Sequence, residues 1–479
     1  MARDEVERFH LPAYSWRGGG LRTVLPMRSF PKSSMLHALR RQRAVAISTP
    51  LAALAGIALL TGCSGEASSG DDVAAADGAT TPAAAPCTND AGLTLPEGFC
   101  GMVFADGLGQ PRHLTVREDG TVLTVRMGAP DGEGGVVALR DTDSDGKADS
   151  RETFGPVGGT GIRLDGEQLY VDAKTAILRY QLPSTDMRPS AEPDTIVSGL
   201  PERGHAARNF VLDGSGGMIV NFGSRTNSCQ EKDRQTGSPG VDPCVERDSR
   251  AGLWRFSAGQ VGQTVADGEH YAIGIRNAVA LEQAPNGQLW AAQHGRDQLF
   301  QNWGELYTAQ QSAENPGEEL LLVNQGDDFG WPYCYYDMDR QRMVLAPEYG
   351  GNGGEEVGRC ADVKGPVVAF PGHWAPMSLL FYTGTQLPAR YRDGVFIAFH
   401  GSWNRAPEAQ AGYNVVFQPL SDGAPTGEYE LFATGFPGET VTPAGAAHRP
   451  AGLAQGPDGS IYVADDKGGV VYRITYQGR

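Results

Sequence analysis

The sequence predicts an all-β fold, a six-bladed β-propeller. Two observations lead there. A hairpin of two short apolar strands around an Asp-Gly or Asn-Gly turn recurs six times, and the polar residues flanking each hairpin fall in the same register. The copies are Leu114–Val125, turning at Asp119-Gly120; Ile162–Asp172, at Asp165-Gly166; Phe210–Phe222, at Asp213-Gly214; Val279–Gln293, at Asn286-Gly287; Leu379–Phe399, at Asp393-Gly394; and Leu453–Ala464, at Asp458-Gly459. Asp-Gly and Asn-Gly suit the positive φ that tight turns require. The 65 glycines and 31 prolines agree with a loop-rich β architecture rather than a helical one.

In an up-down hairpin, the start of the first strand and the end of the second lie at one end. Residues just outside the six hairpins are therefore expected at one mouth of the central channel. These residues are Arg112 and His113, His205 with Arg208 and Asn209, Arg225, Arg276 and Asn277, His294 with Arg296, His373, the run His400 to Arg405, and His448 with Arg449. Six of the nine histidines sit there, more registration than ordinary loop polarity gives, so a ligand site is expected at that mouth. The net charge of −17 argues against a nucleic-acid partner, and arginines gathered locally in so acidic a chain suit a small anionic ligand.

The N-terminal segment carries an address. Arg40, Arg41 and Arg43 precede the apolar stretch Ala44–Leu59, and Leu60-Thr61-Gly62-Cys63 fits a bacterial lipobox with Cys63 as the lipidated residue. Met35 is the expected start. Residues 1–62 then comprise an upstream extension and lipoprotein signal peptide, 63–94 a lipidated Cys with a flexible tether, and 95–479 the propeller. Ser64 favours the outer membrane, so the expected location is the cell envelope, lipid-anchored and facing the periplasm. The other six cysteines suit an oxidising compartment, and sequential pairing is expected: Cys87 with Cys100, Cys229 with Cys244, Cys334 with Cys360.

Between the first and second hairpins, Asp141, Asp143, Asp145, Gly146, Lys147, Asp149 and Glu152 match the twelve-residue calcium loop at each diagnostic position. Side-chain oxygens fall at 1, 3, 5, 9 and 12, and the carbonyl of Lys147 at 7. No helices flank this loop, so a structural role in stapling a long connection is expected.

Six segments taken in order are more specific still. They are Gly204-His205-Ala-Ala-Arg208-Asn209, Gly274-Ile275-Arg276-Asn277, Gln293-His294-Gly295-Arg296-Asp297, Asp328-Phe329-Gly330-Trp331-Pro332, His400-Gly401-Ser402-Trp403-Asn404-Arg405 and Arg449-Pro450-Ala451-Gly452. Together they resemble the glucose/sorbosone dehydrogenase family of pyrroloquinoline quinone (PQQ)-dependent enzymes, in particular its L-sorbosone dehydrogenase-like branch, from about Leu95 to Tyr476. The resemblance implies oxidation of a sugar hydroxyl or hydrated aldehyde by hydride transfer to PQQ. It implies His205 as general base, Arg276 and Asn277 beside the reactive quinone carbonyl, and the carbonyls of Gly295 and Arg296 as holders of a calcium ion.

Because PQQ carries carboxylates, Arg405, Arg449 and Arg112 are candidate contacts. His373 stands at a cofactor-contacting position where soluble glucose dehydrogenases of the family carry Lys; the departure weakens that contact and bears on whether glucose is the substrate. Trp403 is a candidate stacking surface. Glu318 and Glu319 match a region that holds a second calcium in some members. No Cys-x-x-Cys-His occurs, so electrons are expected to leave to an external quinone or cytochrome. Two alternatives come from the fold alone: a non-catalytic sugar- or protein-binding lipoprotein, and a calcium-dependent lactonase.

Overall fold

The computed structural model describes residues 87–478; Cys63, the signal segment and most of the tether lie outside the described residues. Six four-stranded antiparallel sheets form the blades of a propeller. Blade one contains Pro111–Val116, Val122–Arg126, Val136–Arg140 and Ser150–Phe154. Blade two contains Ile162–Asp165, Gln168–Asp172, Ala176–Gln181 and Asp194–Ser198, with Gln263–Thr264 added in parallel at its edge. Blade three contains Phe210–Leu212, Gly217–Phe222, Gly252–Ser257 and Glu269–Ile273. Blade four contains Ala280–Gln283, Leu289–Gln293, Glu318–Val323 and Val368–Phe370. Blade five contains Pro376–Phe381, Gly394–Phe399, Asn414–Ser421 and Glu430–Ala433.

Blade six joins the two ends of the body. Pro450–Gln455, Ile461–Asp465 and Val470–Tyr476 are completed by the N-terminal strand Phe99–Ala105, which runs antiparallel to Val470–Tyr476 with Phe99 opposite Tyr476. This closure tethers the first and last blades and covers an edge that would otherwise offer unpaired backbone groups.

The second strand of each hairpin explains why the repeat reads as apolar runs rather than alternation. Val122–Arg126, Gly217–Phe222, Leu289–Gln293 and Ile461–Asp465 are buried at every position, because a neighbouring blade covers each face. Between blades two and three, Tyr170, Phe210, Phe222, Trp254 and Phe256 form one such layer, with Phe222 stacked on Trp254 at 4.8 Å between ring centres.

In four of the six hairpin turns, glycine supplies the positive φ and the preceding residue supplies an acceptor. Gly120, Gly287 and Gly459 have φ near +85° (83°, 85° and 85°). Asp119 Oδ1 accepts the Thr121 N–H at 3.0 Å, Asn286 Oδ1 that of Gln288 at 3.1 Å, and Asp458 Oδ1 that of Ser460 at 3.1 Å. The fifth repeat departs from the tight turn. Residues 382–393 form a longer connection with a 3-10 turn at Ala389–Tyr391, and Gly394 is near-extended at φ 157°.

The disulfides are Cys87–Cys100, Cys229–Cys244 and Cys334–Cys360, the sequential pairing. No helix among the described residues is long and apolar enough to cross a membrane.

Candidate active site

Strand direction sorts every connection to one end or the other. Links from one blade to the next, and from the second strand to the third, emerge at the mouth where the hairpins begin. Two long insertions of the latter kind, residues 223–251 and 294–317, wall that mouth. Cys229–Cys244 pins the first. The calcium-type loop lies between the third and fourth strands of blade one and so projects at the opposite end.

His205 sits in the link entering blade three. Its Nδ1 lies 2.9 Å from both the carbonyl oxygen and Oγ of Ser224. Ser224 Oγ already donates to the Thr226 carbonyl at 2.7 Å, so both atoms facing Nδ1 act as acceptors. The proton therefore resides on Nδ1, and Nε2 keeps its lone pair. Burial, followed by the positive charge of Arg276, pulls the His205 pKa down to about 3.

Arg276 is fixed by a carboxylate that sequence reasoning quoted but assigned no role. Its guanidinium donates to Asp297 Oδ2 at 2.8 Å, Asn227 Oδ1 at 3.0 Å and the Asn227 carbonyl at 3.1 Å, while its backbone N–H donates to Gln293 Oε1 at 2.9 Å. Asp297 Oδ2 also accepts from Arg234 at 2.8 Å, and Oδ1 accepts from Asn404 Nδ2 at 2.7 Å. Burial opposes ionisation of Asp297, but Arg276, Arg234 and His373 outweigh it and hold this carboxyl well below the usual range.

The same knot gathers His373. Its Nε2 donates to the Ser312 carbonyl at 2.7 Å, and Nδ1 lies 3.3 Å from Asn404 Nδ2 and 4.0 Å from Asp297. Asn277 Oδ1 accepts from Asn221 Nδ2 at 3.0 Å, locking its side chain beneath the same loop. An isolated Asp in a loop carries little sequence signal; the presence of several arginines without carboxylates to balance them was the available clue.

The Gly295–Arg296 turn is braced from two sides. Glu318 Oε2 accepts the Gly295 N–H at 3.2 Å, and Oε1 accepts the Ala375 N–H at 3.4 Å. Arg296 points away from the mouth into Glu348, which it meets at 2.5–2.6 Å through Nη1. Trp303 Nε1 and Ser228 Oγ also donate to Glu348. The carbonyls of Gly295 and Arg296 accept no hydrogen bond from the described residues. Burial pushes both Glu318 and Glu319 up to about 8, and Glu319 Oε2 is buried without a partner. Glu348, remote in sequence and on a 3-10 turn (Pro347–Tyr349), gave no sequence signal at all.

Across the mouth, Arg112 pairs with Asp466, which also holds His400 Nε2 at 2.7 Å. Arg112 Nε is buried with no partner, and its second terminal nitrogen meets only Met377 Sδ, at 4.0 Å. Arg449 donates to the carbonyls of His400 at 2.9 Å and Gly401 at 2.5 Å, and lies over the Tyr413 ring. Arg405 turns into the surrounding loops: it donates to the carbonyls of Ala409, Ala313 and Gly372 and to Glu314, leaving one N–H. Trp403 is 54 % exposed, with the Arg234 guanidinium 6.0 Å from its ring centre.

In the blade-one loop, ligand oxygens of Asp141, Asp143 and Asp149 lie within 4.8 Å of one another. Asp145 accepts the Lys147 N–H, and Asp141 Oδ1 is buried without a partner. Glu152 is on the fourth strand opposite Ala138, near Arg188 at 3.9 Å. The structure thus brings together three of the loop carboxylates and places the twelfth-position Glu on the adjoining strand.

Comparison with known proteins agrees with this architecture. An uncharacterized protein of Borreliella burgdorferi is 27% identical over 220 residues, which is 44% of this chain and 49% of that protein. A pyrroloquinoline quinone-dependent pyranose dehydrogenase of Coprinopsis cinerea is 25% identical over 241 residues, 43% of this chain and 31% of that enzyme. The matches thus span about half or less of these relatives' own lengths.

Among solved structures, the holo form of the PQQ domain of Coprinopsis cinerea pyranose dehydrogenase superposes with a TM-score of 0.65 at 20% identity, covering 80% of this chain and 97% of that one. The calcium structure of a Trichoderma reesei protein of Carbohydrate-Active Enzymes Family AA12 has a TM-score of 0.65 at 18% identity, covering 82% and 99%. These structural likenesses establish the shared fold. Residues 93–477, nearly the whole described body, match the TrAA12-like family, and the chain belongs to that family.

Proposed function

We propose that this protein is a PQQ-dependent sugar dehydrogenase, anchored in the cell envelope through Cys63 and passing electrons to an external quinone or cytochrome. The observation that carries this reading is the pairing of a neutral imidazole, with Nε2 free, and a buried guanidinium held in place by Asp297. The name of the Coprinopsis relative supports it. The lactonase alternative needs inward-pointing carboxylates as metal ligands. At this mouth Asp297 and Asp466 are instead engaged by cations, and the described His/Cys/Asp/Glu grouping suited to a metal is in the blade-one loop.

The residues present fit the cofactor. Arg112, with an unpartnered buried Nε, and Arg449 offer donors for carboxylates. Asn404 Oδ1 is also buried and unpartnered. The unbonded carbonyls of Gly295 and Arg296 suit a hard cation. Bound PQQ with its calcium would supply the two-electron acceptor and its Lewis-acid activation. His205 Nε2 takes the proton of the sugar hydroxyl as the C–H hydride departs. Arg276 lends positive charge where oxyanion character grows, and Asp297 fixes its direction so that no reorganisation is needed. Asn277, Arg405 and His373 keep the loops around these groups in place.

Reconstitution tests this. Residues 64–479, made in the periplasm without Cys63, should bind PQQ stoichiometrically in calcium, followed by absorbance, and reduce a dye with aldoses. Replacing Arg112 and Arg449 by Ala should weaken PQQ binding by about tenfold or more each, as expected for charge-assisted bonds of about 1.5–3 kcal/mol. A folded, calcium-loaded protein that fails to bind PQQ overturns the reading.

Calcium at the blade-one loop is a separate expectation. Added calcium should raise the thermal midpoint, and Asp143→Ala with Asp149→Ala should abolish that part of the gain, because a ligand bound only by the native state stabilises it.

A further inference from the structure

The rim beside His205 carries three arginines to which neither the PQQ contacts proposed above nor a neutral sugar assigns a partner. Arg225 directly follows Ser224, the residue that holds His205. It is exposed, and its guanidinium has no partner among the described residues. Arg203, two residues before His205, is likewise exposed and unpartnered through its side chain. Arg250 is half-buried and donates to the Arg203 carbonyl. Burial and the nearby positive charges of Arg208 and Arg225 depress its pKa, while Glu246 opposes them.

Glu246 offsets part of the positive charge, but among the described residues no carboxylate is ion-paired with the side chain of Arg203, Arg225 or Arg250. Arg208 is already paired with the buried Asp172. Glu246 faces the loop backbone, accepting the N–H of Arg225 at 2.8 Å, that of Thr226 at 3.2 Å and the Thr226 hydroxyl at 2.5 Å. Glu202 is an exposed carboxylate on the same link. In a chain of net charge −17, three guanidiniums with free donors on the link that carries His205 and the loop that holds it create a local field that draws in anions and offer forks for a carboxylate. Trp403, more than half exposed with Arg234 beside it, supplies an apolar face of the kind sugar rings stack on.

We propose that the sugar this site takes is a carboxylated pyranose, a uronic acid or a saccharide ending in one, whose carboxylate is held by Arg225 and Arg250 with Arg203 behind them. The inference rests on the sugar-dehydrogenase reading for its chemistry but has its own readout. Binding of glucuronate and of glucose to the PQQ-free protein is measured by calorimetry at low salt and at about 0.5 M salt. The expected result is glucuronate binding at least about tenfold tighter than glucose at low salt, with most of that preference lost at high salt and in Arg225→Gln/Arg250→Gln.

Arg225→Lys/Arg250→Lys keeps the charge but not the fork and should restore part of the preference. Equal affinity for the two sugars, or a preference that the folded double variant leaves unmoved, overturns the proposal. A protein that prefers glucuronate yet never reduces PQQ would refute the dehydrogenase reading and leave this one standing. PQQ-dependent oxidation of neutral sugars with no uronate preference would do the reverse.

Discussion

Replacing His205 by Ala is expected to lower kcat/KM by about 10³-fold or more, the scale of losing a positioned general base, while PQQ still binds. The reason is the tautomer. Ser224 offers two acceptors to Nδ1, so Nε2 is the basic atom, and Ala removes an imidazole fixed in this tautomer beside Arg276. Stopped-flow reduction of bound cofactor by sugar separates this from a binding defect. Loss of PQQ binding in step with turnover would point to a structural role instead.

The pH profile carries the same argument. The base acts when neutral, and its folded pKa is about 3 against 6.5 for an ordinary imidazole. kcat/KM should therefore stay flat from pH 8 down to about pH 5 rather than halving near 6.5. Stability moves with opposite consequences. Below pH 6.5 the unfolded chain takes up a proton at His205 that the folded one refuses, so this group's contribution is present above 6.5 and is lost as pH falls toward 3. His113, which burial and the nearby Arg163 charge depress to about 3 against the carbonyls of Thr160 at 2.9 Å and Met377 at 2.7 Å facing its ring nitrogens, acts in the same direction. Acid inactivation should thus appear as unfolding before it appears as loss of the base, and circular dichroism recorded beside the rate distinguishes the two.

Asp297→Asn is expected to be the most damaging change to stability at the site, costing about 3–5 kcal/mol. One carboxylate balances Arg276, which is 3 % exposed, and Arg234, and it accepts from Asn404 as well. Asn keeps the shape but leaves the buried Arg276 charge unpaired, and its amide turns a donor toward at least one existing donor. Urea denaturation measures the loss. Arg234→Gln should cost much less, about 1 kcal/mol or under, because Arg234 is 31 % exposed and water replaces the bond. Equal losses for the two variants would show that Asp297 is not the centre of the knot. In Asp297→Asn the guanidinium of Arg276 also loses its direction, so reduction of the cofactor should slow even under conditions where the variant remains folded.

The propeller was legible because its unit is local. A glycine with positive φ, an Asp or Asn accepting two residues on, and flanking apolar runs are all contained within about a dozen residues, and repetition multiplied a weak signal. The fifth repeat shows the limit: the sequence places its turn at Asp393-Gly394, whereas Gly394 begins the second strand after a longer connection. The cysteine pairs were legible for the same reason of locality. His205, Arg276 and Asn277 could be placed at the mouth because they abut hairpins, and strand direction carries them there.

What the tertiary structure decided is which of these groups meet. Asp297 lies 21 residues from Arg276, and Glu348 is 52 from Arg296. Asp466 is 354 residues from Arg112, and the N-terminal strand Phe99–Ala105 completes the last blade only because the ring closes. The sequence by itself determined the repeat, its mouth and the residue types gathered there, since these follow from backbone geometry and chain direction. Which arginines are neutralised and which keep free donors, and which imidazole nitrogen carries its proton, depend on partners brought close by packing from distant blades. Their energies come from burial and proximity, and neither quantity exists until the chain has folded.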